Sequence, residues 1–134
     1  IMILLSTIKV EEVMKEPVYV SYEDPVSRVV ELFETYGYTD YPVLRNGELI
    51  GIVSVRDVIE VPLDRRHEVR VGEVIRRTAY LLPDDNLVKA LRLMVGSRAS
   101  VMPVVDRRTR IRLIGVVTRD DIDMVLVSGR GFRS

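Results

Sequence analysis

Blocks of apolar and polar residues recur in the same order in both halves of the chain. In the first half, the turn pair Asn46-Gly47 is followed by the apolar run Leu49–Val53, a pattern typical of a buried strand. Upstream, Asp24-Pro25 predicts the N-cap and the first residue of a helix that ends at Gly37. Apolar residues spaced along one helical face fill this helix, at Val26, Val29, Val30 and Phe33.

The second half repeats these elements at a nearly constant spacing. Val69–Ile75 matches Ile8–Met14 at a distance of 61 positions. The apolar run Leu113–Val117 lies 64 positions after its counterpart, because the second hairpin loop is three residues longer. A hairpin tip is where a structural unit tolerates an insertion. Two copies of one unit are therefore predicted.

Each copy is predicted to run short helix, strand, helix, strand, hairpin, strand and helix. The first strands are Val18–Val20 and Ala79–Leu81, and Asp85 is the second helix N-cap. We place the copies at residues 8–60 and 69–126, joined by an exposed linker at residues 61–68. Because a unit of about 55 residues buries too little apolar surface to be stable alone, the two should pack together. The predicted fold is α+β (mixed α/β), with two pseudo-twofold-related repeats, each a small three-stranded sheet with helices, packed sheet to sheet.

Composition excludes several classes of site and partner. Twenty basic and twenty acidic residues balance, so attraction of the whole surface to nucleic acid is not expected. The chain has no cysteine, and its one histidine, His67, lies in the linker, so we expect no thiolate metal site and no nucleophile with a histidine base. The acidic pairs Asp84-Asp85 and Asp120-Asp121 lack the spaced ligands of a calcium loop. We expect a cytoplasmic protein without catalytic or metal-binding residues, and its many Arg and Glu residues are typical of thermophiles.

Each copy carries a Ser/Thr-x-x-Asp motif where its last strand meets its last helix. Ser54 and Asp57 follow the first apolar run, and Thr118 and Asp121 follow the second. One interpretation is a helix cap, which stabilises by about 0.5–2 kcal/mol. The other is a binding site, because a carboxylate accepts two hydrogen bonds from a vicinal diol and a helix N-terminus attracts phosphate. The residues alone leave both interpretations open.

These motifs, in register with Tyr41-Pro42-Val43 and Met102-Pro103-Val104, resemble a tandem pair of CBS domains, the arrangement called a Bateman module. The resemblance implies a non-enzymatic regulatory module that binds AMP, ADP or ATP, with S-adenosylmethionine as a further candidate, in clefts between the two repeats. It implies that the aspartates accept hydrogen bonds from ribose and that the Ser and Thr contact ribose or phosphate. It also implies that groups on the first strand of each copy, and on the strands that contain Pro42 and Pro103, hold the base. The predicted nucleotide-binding residues are Ser54, Arg56, Asp57, Thr118, Arg119, Asp121, Val18, Ala79, Tyr41, Pro42, Met102 and Pro103.

Two further acidic residues bear on this expectation. Asp40 precedes Tyr41-Pro42, and Asp120 adjoins Asp121. A carboxylate that faces a phosphate repels it, so we expect both side chains to point to solvent. The two clefts are expected to be inequivalent.

The output of such a module passes to another protein. No helix-turn-helix, channel or catalytic domain is recognisable outside the two copies, so we expect an unknown effector protein or a longer parent chain. The alternative function is a ligand-free dimerisation and scaffolding module. Extra apolar positions on the helices predict a homodimer, as is common in the family. These positions are Leu32, Tyr36, Leu93 and Val95.

Overall fold

The computed structural model describes residues 1–131 and contains five α-helices and five strands. Among these residues, no helix is long and apolar enough to cross a membrane. Three short 3-10 turns occur at Val10–Glu12, Leu63–Arg65 and Val71–Glu73. The helices are α1 (Met2–Thr7), α2 (Ser27–Tyr36), α3 (Val55–Ile59), α4 (Leu87–Ser97) and α5 (Arg119–Ser128). The strands are β1 (Val20–Ser21), β2 (Asp40–Arg45), β3 (Glu48–Ser54), β4 (Val101–Val105) and β5 (Leu113–Thr118).

The chain divides into two compact units that exchange the leading segments of the two sequence copies. These segments, residues 8–17 and 69–78, are called the leads. Residues 18–78 form one unit, which we call the first-repeat unit. Residues 1–17 join the described residues from 79 onward in the second-repeat unit. The lead of each sequence copy therefore packs with the body of the other copy. The bounds 8–60 and 69–126 describe the copies along the sequence, whereas packing follows this other division.

The first-repeat unit contains a three-stranded sheet in the order β1-β2-β3. β1 pairs with β2 in parallel, and β2 pairs antiparallel with β3. Asn46 and Gly47 make the connecting turn with φ angles of 52° and 80°, as the turn pair predicts. α2 ends at Gly37 in a left-handed conformation, with φ of 75°. The core of this unit consists of Val20, Val26, Val29, Leu32, Tyr41, Val43, Val53, Val58, Val61 and Val71.

The second-repeat unit has a two-stranded sheet, β4-β5, where three strands were predicted. Only Leu81 of the predicted strand Ala79–Leu81 pairs, through a single parallel bridge to Val104. The cause lies two residues further on: Tyr22 donates its N–H to the Leu44 carbonyl at 2.8 Å in the first unit, but its counterpart is Pro83, which has no N–H. The core consists of Leu5, Ile8, Val10, Val13, Leu81, Leu87, Ala90, Met94, Met102, Val104, Val117, Ile122 and Val125.

The two predicted helix caps, Asp24 and Asp85, are wrong. α2 begins after Val26, and the N-cap of α4 is Asn86, whose side chain accepts from the Lys89 N–H. The two aspartates instead close the preceding turns, since each accepts a backbone N–H three residues earlier at 2.8 Å. The two copies still agree, because the same acid does the same work at equivalent positions.

The linker is exposed along most of its length, including His67. Its first residue differs from the expectation: Val61 is buried in the core of the first-repeat unit. Arg66 donates from Nε to the Val61 carbonyl at 2.9 Å, and its own carbonyl accepts from Ser27 N–H at 3.0 Å. The linker is therefore anchored to its unit rather than loose.

Candidate carboxylate sites at the two strand-to-helix junctions

Ser54 and Asp57 stand where β3 passes into α3. Ser54 is the N-cap of α3 and accepts from the Arg56 N–H at 3.2 Å. Asp57 makes no reciprocal capping bond. Both of its oxygens accept from Arg76, from Nε and from Nη2, each at 2.5 Å. Capping therefore accounts for Ser54 but not for Asp57.

Thr118 and Asp121 stand where β5 passes into α5. The Thr118 hydroxyl accepts from the Asp121 N–H at 3.3 Å, and Asp121 Oδ2 accepts from the Thr118 N–H at 2.8 Å. This is a complete capping box. The other carboxylate oxygen, Oδ1, accepts from Lys15 Nζ at 3.2 Å, and the same ammonium donates to the Thr118 hydroxyl at 3.3 Å. Capping thus accounts for one oxygen of Asp121, and a cation holds the other.

Sequence reasoning missed these two cations. Lys15 and Arg76 lie 61 positions apart, the spacing of the repeated leads, so they occupy equivalent positions. The hydrogen bonds to Asp57 raise the pKa of Arg76, so this guanidinium is firmly charged. Each site therefore combines residues from both sequence copies within one compact unit. The shared spacing was a usable signal, but pairing with the aspartates depends on the exchanged leads.

Backbone pairing fixes the positions of both cations. Arg76 exchanges two hydrogen bonds with Ile52 of β3, at 2.8 and 2.9 Å, and Lys15 exchanges two with Val116 of β5, both at 3.0 Å. Each lead thus adds one residue to the edge of a sheet. The approach needs glycine beside it: a Cβ on Gly51 would lie 2.5 Å from the Arg76 carbonyl oxygen, and one on Gly115 would lie 3.1 Å from that of Lys15. Gly51 and Gly115 therefore allow the two cations to lie beside the strands.

The expectation for Asp40 is wrong, since its side chain is buried and not solvent-facing. Asp40 pairs with Ser54 in the β2-β3 ladder and accepts from the Thr39 hydroxyl at 3.2 Å. Its charge also contributes to the raised pKa of Arg76. The equivalent residue in the other unit is the apolar Val101, which pairs with Thr118. Asp120 is exposed, as expected.

The predicted phosphate-binding arginines are exposed beside the two junctions. Arg56 donates from Nε to the Ser54 hydroxyl at 3.3 Å. Arg119 lies 3.6 Å from Asp123, one helical turn further along α5. Arg56 is therefore directed towards its junction, whereas Arg119 is directed along its helix.

The six predicted base-binding residues divide between the two units. Val18 and Ala79 are half-buried at the edges of the two cores. The side chains of Tyr41 and Met102 are fully buried within the cores. Any contact from these two residues to a ligand would have to come from their backbone groups. The remaining two, Pro42 and Pro103, are buried in β2 and β4.

Both junctions present hydrogen-bond acceptors and a cation. Within residues 1–131, no cluster of three or more metal-ligating side chains occurs. A carboxylate with a hydroxyl and a cation beside it can bind a diol and a neighbouring anion. Each junction is therefore suited to recognising a polar, phosphorylated small molecule.

Comparison with known proteins gives relatives in archaea and similar solved structures. The chain is 32% identical over 120 residues to uncharacterized protein MJ0188 of Methanocaldococcus jannaschii, and the match covers 87% of this chain but only 43% of that protein. The fold is similar to the CBS domain of a bacterial CNNM/CorC family Mg2+ transporter in complex with ATP, with TM-score 0.78, 19% identity and coverage of 94% and 92% of the two chains. It is also similar to the CBS domain pair of protein MJ0100 in complex with 5′-methylthioadenosine and S-adenosyl-L-methionine, with TM-score 0.75, 18% identity and coverage of 92% and 98%.

The family model for the CBS domain matches residues 10–64 and again residues 71–128. The two matches follow the internal repeat, and the similar structures include CBS domain pairs. The mixed α+β fold agrees with those structures. This chain belongs to the CBS domain family and is a tandem pair of its domains.

Proposed function

We propose that this chain is a non-catalytic regulatory module of the cytoplasm that binds an adenosine nucleotide through Asp57 and Asp121 and passes the signal to a partner protein. One observation carries the proposal. Each aspartate stands at a strand-to-helix junction beside a hydroxyl and a cation. A nucleotide requires a carboxylate to bind its ribose diol, and a hydroxyl and a cation to bind its phosphate.

The similar structures support the class of ligand. One is in complex with ATP and the other with 5′-methylthioadenosine and S-adenosyl-L-methionine. All three ligands contain adenosine. AMP, ADP and ATP are the ligands that the two cations favour, because each lies beside its aspartate, where it can pair with a phosphate.

Calorimetric titration of AMP into the wild type and the Asp57→Asn and Asp121→Asn variants tests the proposal. Each variant should lose one charged acceptor for the ribose diol, and a hydrogen bond to a charged group contributes about 1.5–3 kcal/mol. We expect AMP affinity at the altered site to fall roughly 10- to 100-fold. The 2′-deoxy nucleotide should bind the wild type more weakly than AMP and lose little more in the variants.

Asp120→Asn is the matched control for these titrations. It removes the same charge from the first turn of α5, but Asp120 is exposed and takes no part in the capping box. Its AMP affinity should equal that of the wild type. Unchanged affinity in both site variants would show that the aspartates only organise the junctions.

The second candidate is a ligand-free module that dimerises. An apolar groove between α2 and α3 of the first-repeat unit favours it. Phe33 and Ile59 on its rim are 41% and 63% exposed, which leaves apolar surface for a partner chain. Light scattering at micromolar concentration tests for the homodimer, and a monomer there would count against it. The groove is lined by Val29, Val30, Phe33, Val55, Val58, Ile59 and Arg66.

A further inference from the structure

The two sites differ in how their cations hold the carboxylates. Arg76 occupies both oxygens of Asp57 in a bidentate pair. Lys15 occupies one oxygen of Asp121 and at the same time donates to the Thr118 hydroxyl. A diol must therefore displace a two-bonded guanidinium at Asp57, whereas at Asp121 it displaces one ammonium bond from Oδ1 while Oδ2 keeps its capping bond from the Thr118 N–H. Entry is easier at Asp121 on this count.

The charge around the two cations differs in the same sense. At the Asp57 site, the buried carboxylate of Asp40 adds a second negative charge near Arg76. At the Asp121 site, the equivalent residue is the apolar Val101. A phosphate approaching Asp57 therefore meets a second carboxylate that is buried, whereas the second carboxylate beside Asp121, that of Asp120, is exposed and screened by water.

The helices that follow the two sites differ in length. α3 has five residues and α5 has ten, so α5 aligns more peptide dipoles behind its N-terminus, where they attract an anion. Lys15 is also the less exposed of the two cations, with 37% of its side chain accessible against 58% for Arg76. A charge with less access to water interacts more strongly with a neighbouring phosphate. All these differences favour an anionic ligand at Asp121.

We propose that the Asp121 site is the higher-affinity nucleotide site, and that Lys15 makes it select phosphorylated adenosine ligands over neutral adenosine and over the sulfonium of S-adenosylmethionine. The inference rests on the proposed function and assigns its ligand class. When ribose takes the oxygen that Lys15 holds, the ammonium is left beside Thr118. A phosphate there replaces the lost carboxylate partner, a neutral ligand offers none, and a sulfonium adds a like charge.

Titrations of AMP, adenosine and S-adenosylmethionine into the full chain test this selection. The wild type should bind one AMP per chain at high affinity, and about tenfold more tightly than adenosine. S-adenosylmethionine carries a sulfonium, an ammonium and one carboxylate, so its net charge is positive and it should bind more weakly than AMP. Because the preference is electrostatic, raising the salt concentration should weaken AMP binding more than adenosine binding. This measurement needs no variant.

Four single substitutions locate the preference. Lys15→Gln keeps the backbone pairing with Val116 but removes the charge, so the preference for AMP should fall to about threefold or less, mainly through weaker AMP binding. Lys15→Arg keeps the charge and should retain the preference. Arg76→Gln should leave the preference of the high-affinity site unchanged. Arg77→Gln removes the exposed cation next to Arg76 in the sequence. It controls for the change in net charge and should leave the preference for AMP unchanged.

The outcomes separate this inference from the proposed function. Binding of both AMP and adenosine, with a preference that Lys15→Gln does not alter, would overturn the role of Lys15 while the nucleotide module stands. Loss of the preference in Arg76→Gln alone would assign the main site to Asp57 and overturn the ranking. Failure of the wild type to bind any of the three ligands would refute both proposals.

Discussion

Gly51→Ala is expected to be among the most destabilising single-methyl additions in the chain. The new Cβ would lie 2.5 Å from the Arg76 carbonyl oxygen and 2.7 Å from Ile75 Cγ1, so the backbone of the lead must move away. That movement breaks the two Ile52–Arg76 hydrogen bonds. Each such bond contributes about 1 kcal/mol, and overpacking costs about 1–3 kcal/mol. We therefore expect a loss of roughly 3–5 kcal/mol in the free energy of unfolding, measured by urea denaturation followed by circular dichroism.

Two other glycines calibrate this expectation. Gly115→Ala should cost less, about 1 kcal/mol, because its nearest neighbour is the flexible Met14 sulfur at 3.0 Å. Gly96→Ala in α4 meets nothing within 4 Å and should stabilise by about 0.5 kcal/mol through helix propensity. Two results would contradict the close approach of the lead to β3. One is that Gly51→Ala unfolds at the same urea concentration as the wild type, and the other is that Gly115→Ala loses more free energy of unfolding than Gly51→Ala.

Three further predictions concern stability and titration. Burial raises the pKa of Tyr41 to about 12, so stability should fall as the pH rises from about 10 to 12 in the wild type, because the unfolded state loses the phenol proton first. Tyr41→Phe should remove that loss, which urea denaturation of both proteins at pH 7 and between about pH 10 and 12 checks. Hydrogen bonds from Thr109 lower the pKa of Asp106, so Thr109→Val should move it back towards its usual value in an NMR titration. His67→Ala should leave both the melting temperature and AMP affinity unchanged, because the side chain is exposed in the linker.

The local elements of this protein follow from the order of its residues. The turn at Asn46-Gly47 and the end of α2 at Gly37 need left-handed backbone that these residues adopt readily. The repeat of the Ser/Thr-x-x-Asp motifs predicted two equivalent units and, through the resemblance, the family. These features depend on neighbours in sequence or on spacing, which one sequence displays in full.

The short strands and helix starts were less determined locally. Asp24-Pro25 is a valid helix start in isolation, but the aspartate is used by the turn before α2. The strand expected at Ala79–Leu81 shrinks to one bridge because Pro83 lacks the N–H that the next ladder bond requires. In the first case the preceding turn uses the aspartate, and in the second a residue beyond the expected strand cannot donate the next hydrogen bond.

Only the tertiary structure decided which residues meet at the two junctions. Exchange of the lead segments brings Lys15 to Asp121 and Arg76 to Asp57, across more than 100 residues in the first case and 19 in the second. Burial of Asp40 likewise depends on its place opposite Ser54 in the sheet. Sequence spacing marked Lys15 and Arg76 as equivalent, but ion pairing is set by distance in space, and that distance exists only once each lead has paired with the sheet of the other copy.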